Sequence, residues 1–218
     1  GYQLINIKSG FVLLMLWFIG GLIALSGVLT YSELGASFPK SGGEYNILSC
    51  AIHPSVGFAA GFISTTIGFA APAVIASIAF GKYFYAVIPI FDPHYLSIAV
   101  LLIINILHAS SFKWGKIFQS ASTIIKLLMI LIFIISGLII DSHQNISFYP
   151  TSQNLSKIFS SSFAISLIWV SYAYSGWNSS TYIASDISDP KKNVPLTMFI
   201  GTIIVTILYI LLNYIFLY

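Results

Sequence analysis

The chain contains six apolar runs, at about 10–32, 55–80, 95–110, 118–140, 158–186 and 196–218, each ended by polar or turn-forming residues. About 20 consecutive apolar residues carry a helix across a hydrocarbon core, so runs of this kind decide the solvent in which the chain folds. Composition agrees: 57% of residues are hydrophobic and 7% charged, whereas a soluble domain carries about 25% charged residues. The expected fold class is therefore all-α, a polytopic helical membrane protein forming a single transmembrane domain.

Charge narrows the partners. All nine basic residues are lysines and the net charge is +3, so the bidentate guanidinium contacts that favour nucleic-acid phosphates are absent and no nucleic acid is expected. The lysines also orient the spans, because short cytoplasmic loops collect them. Lys40, Lys113, Lys116, Lys191 and Lys192 fall on one side and Lys8, Lys82 and Lys157 on the other, which makes the first side cytoplasmic. Cys50 is the single cysteine, which excludes an intrachain disulfide and a thiolate cluster. His53, His94, His108 and His143 lack a second ligand at helical spacing, so no metal and no cofactor are expected. Motifs for a nucleophile elbow, a phosphate loop, a zincin or a dinucleotide site are missing, and the chain does not read as an enzyme. Asn145-Ile-Ser147 and Asn154-Leu-Ser156 match glycosylation sequons, a common chance pattern. The opening GYQLINIKSG has no signal-peptide pattern, and the sequence reads as part of a longer protein.

Four features could carry function. The stretch SYAYSGWNSSTYIASDISDPKKNVP, residues 171–195, places polar residues and a glycine inside an otherwise apolar run. Glycine is a poor helix former, and serine and asparagine compete for their own backbone. Two readings follow. In one, the helix breaks near Tyr174, Ser175, Gly176 and Trp177, and its exposed peptide groups bind a ligand, because unwound backbone at membrane depth survives only in protein or beside a polar cavity. In the other, the helix is continuous and Gly176 merely permits close packing. Lys126 lies inside the fourth run and either faces a bundle interior or snorkels to the interface. Glu33 and Glu44 flank a Pro and Gly turn and either latch the cytoplasmic side to neighbouring lysines or are solvated. The second run carries Gly57, Gly61, Gly68, Ala71 and Ala76, small residues for close helix contact. Pro72 should kink it, and Gly68 with Pro72 is expected near a cavity.

Two of these stretches carry a resemblance. GVLTYSELGASFPKSGGEYNIL, residues 27–48, resembles the segment joining the second and third helices of the amino acid, polyamine and organocation permeases, especially their L-type amino acid transporter branch. YAYSGWNSSTYIASDISDPKKNVP is similar to the family's sixth helix and the loop after it. The resemblance covers essentially the whole chain. It implies that the six runs are helices two to seven of a twelve-helix bundle with inverted repeats and a discontinuous helix. It further implies secondary transport of amino acids across the plasma membrane by alternating access. On this basis Tyr172 is expected to cover the substrate, and Ala173, Tyr174, Ser175, Gly176 and Trp177 to form its unwound site. Lys126 would supply a built-in cation in place of sodium, leaving exchange or proton coupling. Glu33 and Glu44 would belong to a cytoplasmic gate. Carriers of polyamines or other organic cations, a non-transporting scaffold or sensor, and an inactive truncated permease are the alternative readings. No protein partner is implied.

Overall fold

Ser9 sets the first helix boundary: its hydroxyl accepts a hydrogen bond from the Val12 N–H at 3.5 Å, and α1 runs over Gly10–Ser37. The computed structural model describes residues 9–139, 146 and 148–217; Lys8, His143 and Asn145 lie outside the described residues. After α1 come α2 (Glu44–Ala51), α3 (Pro54–Ile63), a π-helical segment (Ser64–Ala70), α4 (Ala71–Val87), α5 (Pro93–Ser110) and α6 (Phe112–Ile139). The chain continues as α7 (Ser152–Ile158), α8 (Ser161–Ala173), a 3-10 segment (Ser179–Asp186) and α9 (Pro190–Leu217). Among the described residues, five helices are long and apolar enough to cross a membrane: Gly10–Ser37, Pro54–Val87, Pro93–Ser110, Lys113–Ile139 and Pro190–Leu217. The protein is an all-α, integral, multi-pass membrane protein.

The packed core lies between α1, α8 and α9. Val12, Leu13, Leu16, Val170 and Tyr174 form one buried cluster, and Val28, Ala184, Val194 and Met198 form a second further along α1. Small residues on α1 make this approach possible. A Cβ on Gly20 would lie 2.4 Å from Val170 Cγ1, one on Gly21 2.5 Å from Thr206 Cγ2, and one on Gly27 2.8 Å from the Trp177 ring. Van der Waals contact and close approach, rather than expulsion of water, hold helices together in lipid, so this glycine face does more for the core than its apolar neighbours. By contrast Ile78 on α4, Leu102 on α5 and Ile132 on α6 are exposed.

The second run behaves differently from a simple kink. Pro72 has no N–H with which to close the ladder, and the turn before it widens into the π segment instead of bending sharply. The Thr65 and Thr66 hydroxyls donate to the Gly61 and Phe62 carbonyls at 2.8 and 2.7 Å, satisfying that stretch from its own side chains. The composite helix then continues past the expected end at 80 to Val87. Proline restarts the chain at α5, capped by the Asp92 carboxylate, which accepts from the His94 N–H at 2.8 Å.

Other boundaries move for one reason: apolar runs mark the hydrocarbon region, while helices extend through the interface. Thus α6 takes in Lys113 and Lys116, and α9 begins at Pro190 rather than 196. The short helices α2 and α7 occur where the polar sequence suggests loop. Asn154 of the second sequon is 9% exposed within α7, its amide donating to the Tyr149 carbonyl at 3.2 Å, an arrangement incompatible with a glycan there.

Because the Gly20 site is filled by Val170, Gly20→Ala is expected to lower stability by about 1–3 kcal/mol through overpacking. Gly201 lies inside α9 with nothing within 4 Å of an added Cβ, so Gly201→Ala should leave stability unchanged or raise it by up to about 1 kcal/mol, the helix-propensity gain. Thermal unfolding of the two purified variants in detergent checks the contrast.

Candidate functional site

The helix expected over 158–186 is interrupted. α8 closes at Ala173, where the Tyr174 N–H still reaches the Val170 carbonyl at 3.1 Å. The next bond is already shorter in sequence, from the Ser175 N–H to the Tyr172 carbonyl at 3.1 Å. Gly176 then takes φ +96°, a left-handed conformation that glycine adopts without a side-chain clash. The ladder resumes as a 3-10 segment when the Ser179 N–H and hydroxyl both donate to the Gly176 carbonyl. Thr181 likewise donates its N–H and hydroxyl to the Asn178 carbonyl, at 3.0 and 2.7 Å. Among the described residues, no hydrogen bond reaches the carbonyls of Tyr174, Ser175 and Trp177 or leaves the N–H groups of Gly176, Trp177 and Asn178. Both donors and acceptors of the main chain are therefore presented at the break.

Each half of the break is held separately. On the α8 side, the Tyr209 hydroxyl donates to the Ala173 carbonyl at 2.9 Å, and the Tyr174 hydroxyl donates to the Trp17 carbonyl at 3.0 Å. Tyr209 packs edge to face against both Trp17 and Tyr174, with ring centroids 4.9 and 5.1 Å away. On the other side, the turn 41–43 runs beside the 3-10 segment. The Gly42 and Gly43 N–H groups donate to the Tyr182 and Thr181 carbonyls, both at 3.2 Å. Glu44 accepts from the Asn178 amide and the Tyr182 hydroxyl, and Tyr31 faces the same carboxylate. Trp177 joins the halves, packed edge-on against Tyr31 with centroids 5.0 Å apart.

Two cavities flank the break. One of about 310 Å³ lies between it and α9, lined by Ala173, Ser175, Gly176, Thr197, Gly201 and Thr202 among others. The second, about 260 Å³, lies toward α1 and includes Gly20, Ser26, Gly27 and Ser171. Tyr174 and Trp177 border both.

The structure thus brings together Ala173, Tyr174, Ser175, Gly176 and Trp177, and it leaves other expected residues apart. Tyr172 is 55% exposed and lines neither cavity, because it points away from α1 and α9 on the far face of α8. Gly68 and Pro72 also line neither; they belong to the composite helix, where an added Cβ on Gly68 would find only Ser64, at 4.0 Å. Their segment touches the broken helix through Phe69, whose ring meets Tyr182 at 5.0 Å. Lys126 is exposed on α6 and lines neither cavity. Glu33 is exposed on α1, whereas Glu44 is bonded to Asn178 and Tyr182 rather than to the lysines expected of a gate. Sequence reasoning missed the contribution of α9. Thr197, Gly201 and Val205 recur at helical spacing on one face, with Thr202 and Tyr209 beside them, a small and polar stripe inside an apolar run.

Residues 3–218 match the profile of a family described as amino acid permease. The chain belongs to that family. It is 31% identical over 218 residues to the mouse b(0,+)-type amino acid transporter 1, covering 96% of the chain and 44% of that protein. The human b(0,+)-type amino acid transporter 1 is 32% identical over 92% of the chain and 42% of its own length. The mouse large neutral amino acids transporter small subunit 2 is 28% identical over 95% of the chain and 41% of its length. This permease chain therefore spans less than half the length of these curated relatives.

The Ala173 carbonyl has the Tyr209 hydroxyl as its partner, while the Trp17 carbonyl sits inside the α1 ladder. Tyr209→Phe should accordingly cost about 1–3 kcal/mol by stranding a carbonyl, and Tyr174→Phe only about 0.5–1.5 kcal/mol. Thermal unfolding of the two variants in detergent orders them.

Proposed function

We propose that this chain forms part of a secondary transporter that carries amino acids across the plasma membrane by alternating access. The observation that carries the reading is the interruption at 174–178 of a helix within the apolar bundle, with unbonded carbonyls and N–H groups beside a cavity of about 310 Å³. Peptide oxygens attract an ammonium and peptide N–H groups a carboxylate. A free amino acid offers both on one carbon. A polyamine offers only cations, and among the described residues no Asp or Glu lines either cavity, so the amino acid is the better match. The relatives named above are amino acid transporters, which supports the same substrate class.

In this mechanism Tyr174, Ser175, Gly176 and Trp177 hold the substrate backbone, while the Ala173 carbonyl, already engaged by Tyr209, orients the end of α8. Ser175 borders the cavity and sets the room left for a substrate side chain. Tyr172, exposed on the outer face of α8 and away from both cavities, covers the break from that opposite face, where the remaining helices of an inverted-repeat bundle would lie. Lys126 contributes a fixed positive charge in place of a sodium ion, and transport proceeds by exchange or proton coupling.

Uptake by the intact protein in proteoliposomes, screened over a panel of amino acids with and without sodium and pH gradients, tests the reading. Amino acid uptake independent of sodium is expected, and Ser175→Trp should reduce it at least about tenfold, the equivalent of about 1.4 kcal/mol. Unchanged uptake in a Tyr172→Ala, Ser175→Trp double variant would remove the site assignment. Lys126→Gln should slow uptake with normal protein yield; full activity in that variant would make this lysine an interfacial anchor.

A further inference from the structure

The turn 41–43 and the start of α2 meet the second half of the broken helix through six hydrogen bonds. Ser41 and Ser185 exchange a reciprocal pair, each N–H donating to the other's hydroxyl, at 3.0 and 2.9 Å. The Gly42 and Gly43 N–H groups take the Tyr182 and Thr181 carbonyls. The Glu44 carboxylate completes the set, one oxygen accepting from the Asn178 amide and the other from the Tyr182 hydroxyl. Geometry demands the glycines here: Gly42 and Gly43 have φ +122° and +54°, and a Cβ on Gly43 would lie 2.6 Å from the Tyr182 ring. Half-buried Tyr182 is held through its carbonyl, its hydroxyl, Gly43 and the Phe69 ring of the π segment.

We propose that Glu44 is a positioning residue for the peptide groups at 174–178. Asn178 is the last residue before the 3-10 segment, and its side chain hangs from a backbone whose N–H and preceding carbonyl face no partner among the described residues. The turns on either side, closed by the Ser179 N–H on the Gly176 carbonyl and the Thr181 N–H on the Asn178 carbonyl, bracket those groups without bonding them. The carboxylate fixes their direction from outside, holding Asn178 and Tyr182 one turn apart and so setting the angle at which the 3-10 segment leaves the break. The first half is oriented independently, by Tyr209 and Trp17. The relative direction of the two sets of peptide dipoles, and with it the fit of a ligand carrying both charges, then depends on Glu44. This inference rests on the transport reading for its ligand, but the contact itself is open to a measurement that needs no ligand.

The test exchanges the ends of the pair in the intact protein. Asn178→Asp sets two carboxylates face to face, while Glu44→Gln lets Asn178 turn its amide over and keep a neutral hydrogen bond. In the double variant, the amide introduced at position 44 donates to the new carboxylate and its carbonyl still accepts from Tyr182. Hydrogen exchange of the Gly42, Gly43 and Ser185 amides should accelerate strongly in Asn178→Asp, little in Glu44→Gln, and return close to the Glu44→Gln level in the double variant. Uptake should follow: KM raised about tenfold or more in Asn178→Asp with the maximal rate changed less, and largely recovered in the double variant. If exchange at these amides is the same in all variants, or stays fast in the double variant, the proposal is overturned. Recovery of exchange without recovery of KM would also overturn it, because the contact would then be structural and not positioning. Should the unsubstituted protein take up no amino acid, the transport reading fails while the exchange pattern still decides whether the carboxylate holds the break.

Discussion

A helix that opens inside a membrane leaves peptide groups that neither water nor the next turn can satisfy, and each such group costs several kcal/mol in hydrocarbon. Much of this molecule is arranged around that requirement. Polar side chains that would be out of place in a lipid-facing helix are directed to the break: Tyr209 to the Ala173 carbonyl, Ser179 to Gly176, Thr181 to Asn178. The groups left over at 174–178 are those beside the two cavities.

The two sides of the break are held by different chemistry. The α8 half is held by packing, since the glycine face of α1 brings Val170 and Tyr174 against it and the aromatic trio fills the remaining space. The 3-10 half is held largely by hydrogen bonds from the 41–43 turn and Glu44, reinforced by the buried contact of Ala184 with Val28 of α1 and with Val194 and Met198 of α9. Packing of small residues tolerates little displacement, whereas a set of hydrogen bonds at a helix end can be broken and remade. A rocking motion would therefore be absorbed at Gly176, between a rigid half and one whose restraints are polar.

The sequence showed the apolar runs, and it marked the fifth as the one that could break, because both are local properties: apolar length and the poor helix propensity of Ser, Gly and Asn next to one another. It did not show what those residues touch. For Glu44 the sequence offers only a latch to lysines or a solvated carboxylate, because charge complementarity is all that one dimension shows, yet its partners are neutral and lie more than a hundred residues away, Asn178 and Tyr182. The π segment escaped notice because proline announces a lost hydrogen bond without saying whether the ladder bends or widens. The α9 stripe of Thr197, Gly201, Thr202 and Tyr209 was hidden inside an apolar run, where threonine and glycine read as ordinary packing residues. Tyr172 and Tyr174 are close in sequence but look in different directions, since residues two apart on a helix do not share a face; only the second is buried against α1 and α9.

The geometry of the break also bears on which end of a ligand is held more firmly. α8 is a regular helix of 13 residues ending at Ala173, so its dipole adds to the negative character of the carbonyls there. The 3-10 segment is 8 residues long and carries a non-helical residue, Ile183, in its interior, so its positive end is weaker and rests mainly on the individual N–H groups of Gly176, Trp177 and Asn178. An ammonium should accordingly be the better-anchored group of a zwitterion in this part of the site. The carboxylate would depend more on how the N–H groups are aimed, and the aim of the last of them is set by the residue that Glu44 holds.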